Sequence, residues 1–169
     1  MPRRGTGGDG LNVFVDIEQS GIGTWIRESP SILSYPTILF LHTVGLGLLV
    51  GTSVAIDLRI LGAGRESALG GMDKFFPLLW LGFWISAASG VALWVADAHT
   101  WSKDVVFYIK MGFIVLSMLS VRLIRNRVLR NPSAREGELP PEGKMLAIAS
   151  LVFWVGAITA GRLTAYIGK

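Results

Sequence analysis

SPSILSYPTILFLHTVGLGLLVGTSVAI, Ser29 to Ile56, contains no charged side chain. Roughly 20 apolar residues in a helix cross a hydrocarbon core, so this run predicts a membrane span rather than one helix of a soluble domain. Pro30 and Pro36 lie at its start, where a missing N–H does least harm. The run from Phe75 to Ala96 is also uncharged. Val105 to Val121 is interrupted only by Lys110, and Met145 to Gly161 stops at Arg162. Both reach spanning length once long basic side chains carry their charge to the interface.

The rest of the chain agrees. With 169 residues, 51% of them hydrophobic and 17% charged, it has the size of one domain but too apolar a composition for a soluble one. Its mean hydropathy is +0.51. The fold expected is all-α, a four-helix transmembrane bundle preceded by a short interfacial amphipathic helix.

The expected organisation is a Gly-rich tail over 1–10, an interfacial segment over 11–29 and a membrane domain over 30–169. Leu11, Phe14, Ile17, Ile22 and Trp25 recur at near-helical intervals broken around Gly21 and Gly23, in a segment too short and charged to span. The spans are drawn at 36–61, 74–98, 104–130 and 141–167, with the turn-rich NPSAREGELPPEG, Asn131 to Gly143, joining the last two. Arg3 and Arg4 are followed by glycine and acidic residues rather than an apolar stretch, so no cleaved signal peptide is expected.

Orientation follows from the basic residues. Arg59, Arg65, Lys74, Arg122, Arg125, Arg127, Arg130, Arg135 and Lys144 share one side, against Lys103 in the opposite loop. The basic side should be cytoplasmic and both termini periplasmic, which suits a bacterial inner membrane. The net charge of +4 and the tract RLIRNRVLR are better matched to anionic lipid headgroups than to nucleic acid, and no nucleic-acid partner is expected.

Counting inward from the outer helix ends at 1.5 Å per residue puts His42, Lys110 and Arg162 each at about 9 Å depth. Ionisable groups there are costly and usually face a cavity, the bundle or a partner, so this layer is the candidate site. Trp94, Asp97, His99 and Trp101 stand near it at the end of span two, and Tyr166 lies one turn outward from Arg162. Each cation taken alone also fits simple snorkelling, and His42 fits a bond to a backbone carbonyl.

Gly45 stands one turn after His42, Gly47 and Gly51 form a GxxxG spacing, and span two carries Gly82, Ser86 and Gly90 four apart. Small residues let a helix or a flat ligand approach a backbone closely, and for Gly47 and Gly51 helix packing is the expected use.

A b-type haem suits this inventory: His42 as axial ligand, Gly45 beside the porphyrin face, Trp94 and Tyr166 as aromatic neighbours, Lys110 and Arg162 against propionates. His99 is the second histidine, several ångströms shallower by counting, whereas two ligands of one iron lie within about 4 Å of each other. Copper on His42 and His99, with Asp97, is the metal alternative. The chain has no Cys, which removes thiolate sites and cysteine nucleophiles. HExxH and GxSxG are absent, and GTGGDG, residues 5–10, precedes no strand-and-helix unit, so an electron-transfer or non-catalytic subunit is expected rather than a stand-alone enzyme. Asp57 and Arg59, two residues apart, do not face each other on a helix; headgroups are expected for Arg59, and Lys74 or Arg122 for Asp57.

The combination SYPTILFLHTVGLGLLVGTSVAIDLRILG, WLGFWISAASGVALWVADA, FYIKMGF and AGRLTAY resembles a bacterial family of small four-helix membrane proteins of unknown function. The resemblance runs from Trp25 to Tyr166, its H, DLRxLG, K and GR positions falling on His42, Asp57 to Gly62, Lys110, and Gly161 with Arg162. That family is distantly similar in layout to cytochrome b561-like and copper-resistance D-type membrane domains, where helix-borne histidines hold haem or serve metal handling. The resemblance implies a haem or metal role for His42; the cytochromes use several intramembrane histidines, and this chain has one well inside a span.

Two other readings compete with the haem subunit. One is a cofactor-free structural or assembly subunit of a larger membrane complex. The other is an anion- or metal-handling protein using His42, Lys110 and Arg162. Expected partners are the lipid bilayer and either a membrane or periplasmic redox subunit or further copies of the chain.

Overall fold

A computed structural model describes residues 9–28, 35–63, 69–98, 103–131 and 140–167. The regular elements within them are all helical: α1 (Asp9–Glu18), α2 (Gly21–Glu28), α3 (Tyr35–Leu61), a 3-10 segment (Leu69–Phe75), α4 (Phe76–Ala96), α5 (Val105–Leu123), a π-helical continuation (Ile124–Leu129) and α6 (Pro141–Ile167). The tail expected over 1–10 falls almost wholly outside the described residues.

Local chemistry sets the helix ends. Pro36, Pro77 and Pro141 occupy first-turn positions of α3, α4 and α6, where proline needs no intrahelical N–H bond. Asp104 caps α5, its Oδ1 accepting from the Val106 N–H at 2.9 Å. Helix α3 closes at Gly62, whose φ of 107° is a left-handed conformation that favours glycine. The Gly62 N–H then donates to the Arg59 carbonyl and the Ala63 N–H to the Leu58 carbonyl, satisfying two carbonyls of the last turn. Ser20 starts α2, its Oγ accepting from the Gly23 N–H at 3.3 Å.

Helices α3, α4, α5 and α6, the middle two with their 3-10 and π extensions, are each long and apolar enough to cross a membrane. Their surfaces are reversed relative to a soluble bundle. Phe40, Trp84, Val115 and Val155 are 64–66% exposed, while Ser53, Asp57, Ser117 and Ser150 are at most 1% exposed. Apolar side chains facing out over whole helix lengths, with small polar ones at helix contacts, make a surface that lipid rather than water covers. The chain is a multi-pass membrane protein.

The bundle is two helical hairpins, α3 with α4 and α5 with α6, joined through α3 and α6. Between α4 and α5 there is no comparable interface; they meet at the basic end, where the Arg125 guanidinium lies 4.7 Å from the centre of the Phe76 ring. The α4 and α5 backbones thus stay farther apart than those within each hairpin, though Phe76 and Leu79 share a buried cluster with Val121 and Ile124. The π-helical turn includes the arginine-rich tract: Ile124, Val128 and Leu129 are buried, Arg127 and Arg130 are exposed, and Arg125 is half-buried over Phe76.

Helices α1 and α2 pack against α4. Phe14 meets Trp94 edge-on, ring centres 6.3 Å apart, and Ile26 is buried. Span two is shorter in α-helix than the expected 74–98: its first residues form the 3-10 segment, and the helix ends at Ala96 because Asp97 turns to an extended φ of −143°.

Candidate functional site around His42

The site begins where α3 and α4 touch backbone to backbone. A Cβ on Gly45 would lie 2.6 Å from the Ser86 amide nitrogen, and one on Gly82 would lie 2.6 Å from that of Leu49. Only glycine permits that approach without displacement. Of the two uses open to Gly45, a neighbouring helix fills the space rather than a flat ligand. Gly47 and Gly51, expected to pack a helix, are instead exposed, and a Cβ on either would meet no neighbouring helix within 4 Å.

One turn outward from Gly45, the close approach lets His42 reach α4. Its Nδ1 lies 3.0 Å from the Ser86 carbonyl oxygen and 3.1 Å from Ser89 Oγ. A carbonyl only accepts, so Nδ1 carries the hydrogen, and in the neutral ring Nε2 holds the lone pair. The Ser89 hydroxyl donates to the Ile85 carbonyl at 2.6 Å, leaving its oxygen free to accept from His42. Gly90 completes the seat: a Cβ there would come within 3.1 Å of His42 Cε1. Nε2 makes no hydrogen bond to a described residue. The ring is thus fixed by one nitrogen while no described residue bonds the other, the arrangement that orients a ligating histidine.

Lys110 joins this layer. It stands close enough to act electrostatically on His42, and its stem runs over Gly161 of α6, Cε 3.6 Å and Nζ 4.0 Å from the position a Cβ would take. Arg162, the next residue, is exposed and does not turn inward with His42 and Lys110. An adjacent residue on a helix projects about 100° away, so Gly161 facing Lys110 directs Arg162 elsewhere. Trp94 is half-buried against Phe14. Tyr166 falls in the last turn of α6. His99 and Trp101 lie outside the described residues. No three of His, Cys, Asp and Glu gather as a metal site among the described residues, so the copper alternative depends on His99.

No family model, curated protein or solved structure matches the chain. Assignment of the site therefore rests on its own geometry.

Two partnerships differ from the expectation or lie outside it. Asp57 pairs with neither Lys74 nor Arg122: it is 1% exposed, turned into the bundle, and its polar neighbour is Ser150. Position within α3 accounts for this, because Asp57 shares the buried face of Ser53 and Ile60. One turn away, the Trp154 indole N–H donates to Ser53 Oγ at 2.8 Å, both residues buried. The i, i+4 spacings Ser53/Asp57 and Ser150/Trp154 are the sequence signal for this contact. For the His42 partners, the signal is the serine pair Ser86 and Ser89 beside Gly82 and Gly90.

Proposed function

We propose that the protein is a membrane-embedded electron-transfer or anchor subunit in which His42 Nε2 would hold a b-type haem in the outer half of the bundle. The carrying observation is the imidazole itself: Nδ1–H is held by Ser86 and Ser89, and Nε2 has no protein partner among the described residues. An ordinary buried histidine uses both nitrogens or faces water. Lys110 supplies a cation in the same layer for an anionic propionate. Bound haem would supply one-electron chemistry; the chain supplies the ligand, its orientation and the neutralising charge.

The proposed setting is a bacterial inner membrane with both termini outside. Lys74, Arg122, Arg127, Arg130 and Lys144 are exposed together at the end proposed as cytoplasmic. A periplasmic or membrane redox protein, or a second copy, is the proposed partner.

The cofactor-free assembly subunit has one observation in its favour: the Lys110 stem already packs on Gly161, so the lysine is accommodated without a ligand. Haem quantitation as the pyridine haemochrome separates the readings. Protein purified in detergent from haem-replete cells is expected to carry close to one haem per chain or per dimer. A substoichiometric trace, unchanged by added haemin, would leave the assembly role standing.

A further inference from the structure

A second polar centre lies in the other half of the bundle. Helices α3 and α6 run antiparallel, so the register that sets Ser53 against Trp154 sets Asp57 against Ser150 one turn nearer the basic end. Asp57 is 1% exposed and Ser150 is 0% exposed. No described group completes a hydrogen bond to Asp57 Oδ1, Asp57 Oδ2 or Ser150 Oγ. Such groups are rarely left unsatisfied in native interiors, and an unpaired buried carboxylate is more costly than either neutral group.

The charged residues on the surrounding elements do not relieve this. Arg59 of α3 donates to the Ala63 carbonyl, Arg125 of the π-helical turn lies over Phe76, and Lys74 of the 3-10 segment and Lys144 of α6 are exposed. Asp73, next to Lys74, is half-buried. Asp57 makes no ion pair with any of them. Among the described residues no positive charge reaches the carboxylate, and a bound cation or proton would supply it. Hard metal cations take about six oxygens or more, whereas the unpartnered side-chain oxygens of this pair are the three just named.

We propose that Asp57 and Ser150 form a proton-binding site in the basic half of the bundle, separate from the His42 layer. One proton from water adds to an Asp57 oxygen, taking the side chain from charge −1 to neutral, and the new O–H donates to Ser150 Oγ. On release the carboxylate accepts the Ser150 hydroxyl hydrogen instead. A serine serves both states because its hydroxyl donates and accepts; an alanine serves neither. Ionisable groups that face a bundle interior inside a span mark ion pathways and proton relays.

The test is infrared difference spectroscopy of the full chain in vesicles, titrated across pH. A carboxylic-acid C=O band that rises on acidification, shifts down in D2O and is missing in Asp57→Asn is expected. Ser150→Ala should keep the band but move it to higher wavenumber, because the acid loses its hydrogen-bond acceptor. The proposal is overturned if no titrating band is removed by Asp57→Asn, if the Ser150→Ala band is unmoved, or if sodium at fixed pH abolishes it. Should Asp57→Asn not fold, as judged by helical circular dichroism, the D2O and Ser150→Ala shifts decide alone.

Discussion

His42 Nδ1 and the Ser86 carbonyl oxygen stand 3.0 Å apart across the α3/α4 contact, and this one bond fixes both the tautomer and the tilt of the imidazole. Because that acceptor is backbone, no side-chain substitution on α4 removes it directly. Ser89→Ala, which deletes the second acceptor at 3.1 Å, should therefore weaken haem retention less than the ten- to hundredfold typical of lost second-shell partners. Haem titration of the two proteins measures the difference.

Four glycines of α3 and α4 should divide into two classes. Gly45→Ala drives a methyl to 2.6 Å from the Ser86 amide nitrogen, and Gly82→Ala makes the matching contact with Leu49. Each should lower stability by about 1–3 kcal/mol, since backbone must move. Gly47→Ala and Gly51→Ala meet nothing within 4 Å and should be neutral or raise stability by up to about 1 kcal/mol through helix propensity. Denaturant unfolding in mixed micelles ranks the four.

The buried Trp154–Ser53 bond should register as coupling rather than as a large single effect. A double-mutant cycle with Trp154→Phe and Ser53→Ala is expected to give about 0.5–1.5 kcal/mol, in the range of hydrogen bonds between membrane helices. Coupling near zero would mean that Nε1 finds another acceptor.

At the basic end, two arginines close in sequence should behave differently. Arg127 pairs with Glu142 at 3.2 Å, with side chains 61% and 60% exposed, so Arg127→Ala should change stability by less than about 1 kcal/mol. Arg125 lies over Phe76 where α4 and the π-helical turn meet. Arg125→Ala removes both that contact and the packing of its stem, and should cost about 1–2 kcal/mol. The same unfolding assay compares them.

The spans are legible in the sequence because uncharged length is a direct demand of the bilayer, and the ends at Leu61 and Asp104 are carried by local signals: Gly62 after the helix and an aspartate cap. Which helices touch is less legible. GxxxG permits a close approach but does not say on which face the neighbour lies, so Gly47 and Gly51 promise a contact that Gly45 and Gly82 make instead. Direction around the helix is not legible either: the Lys110 stem packs on Gly161, while Arg162, the next residue, is exposed. Asp57 shows the same limit. Nearby basic residues suggest an ion pair, yet the α3/α6 register places a neutral serine beside it.

Iron binding by His42 Nε2 is tested by a dithionite-reduced minus oxidised absorbance spectrum of wild-type and His42→Ala proteins purified in parallel. The account predicts a Soret band with sharp reduced α and β bands in wild type, and their loss in a His42→Ala protein that keeps its helical circular dichroism. No Soret band in wild type from haem-replete cells, or an equal band in His42→Ala, would contradict it.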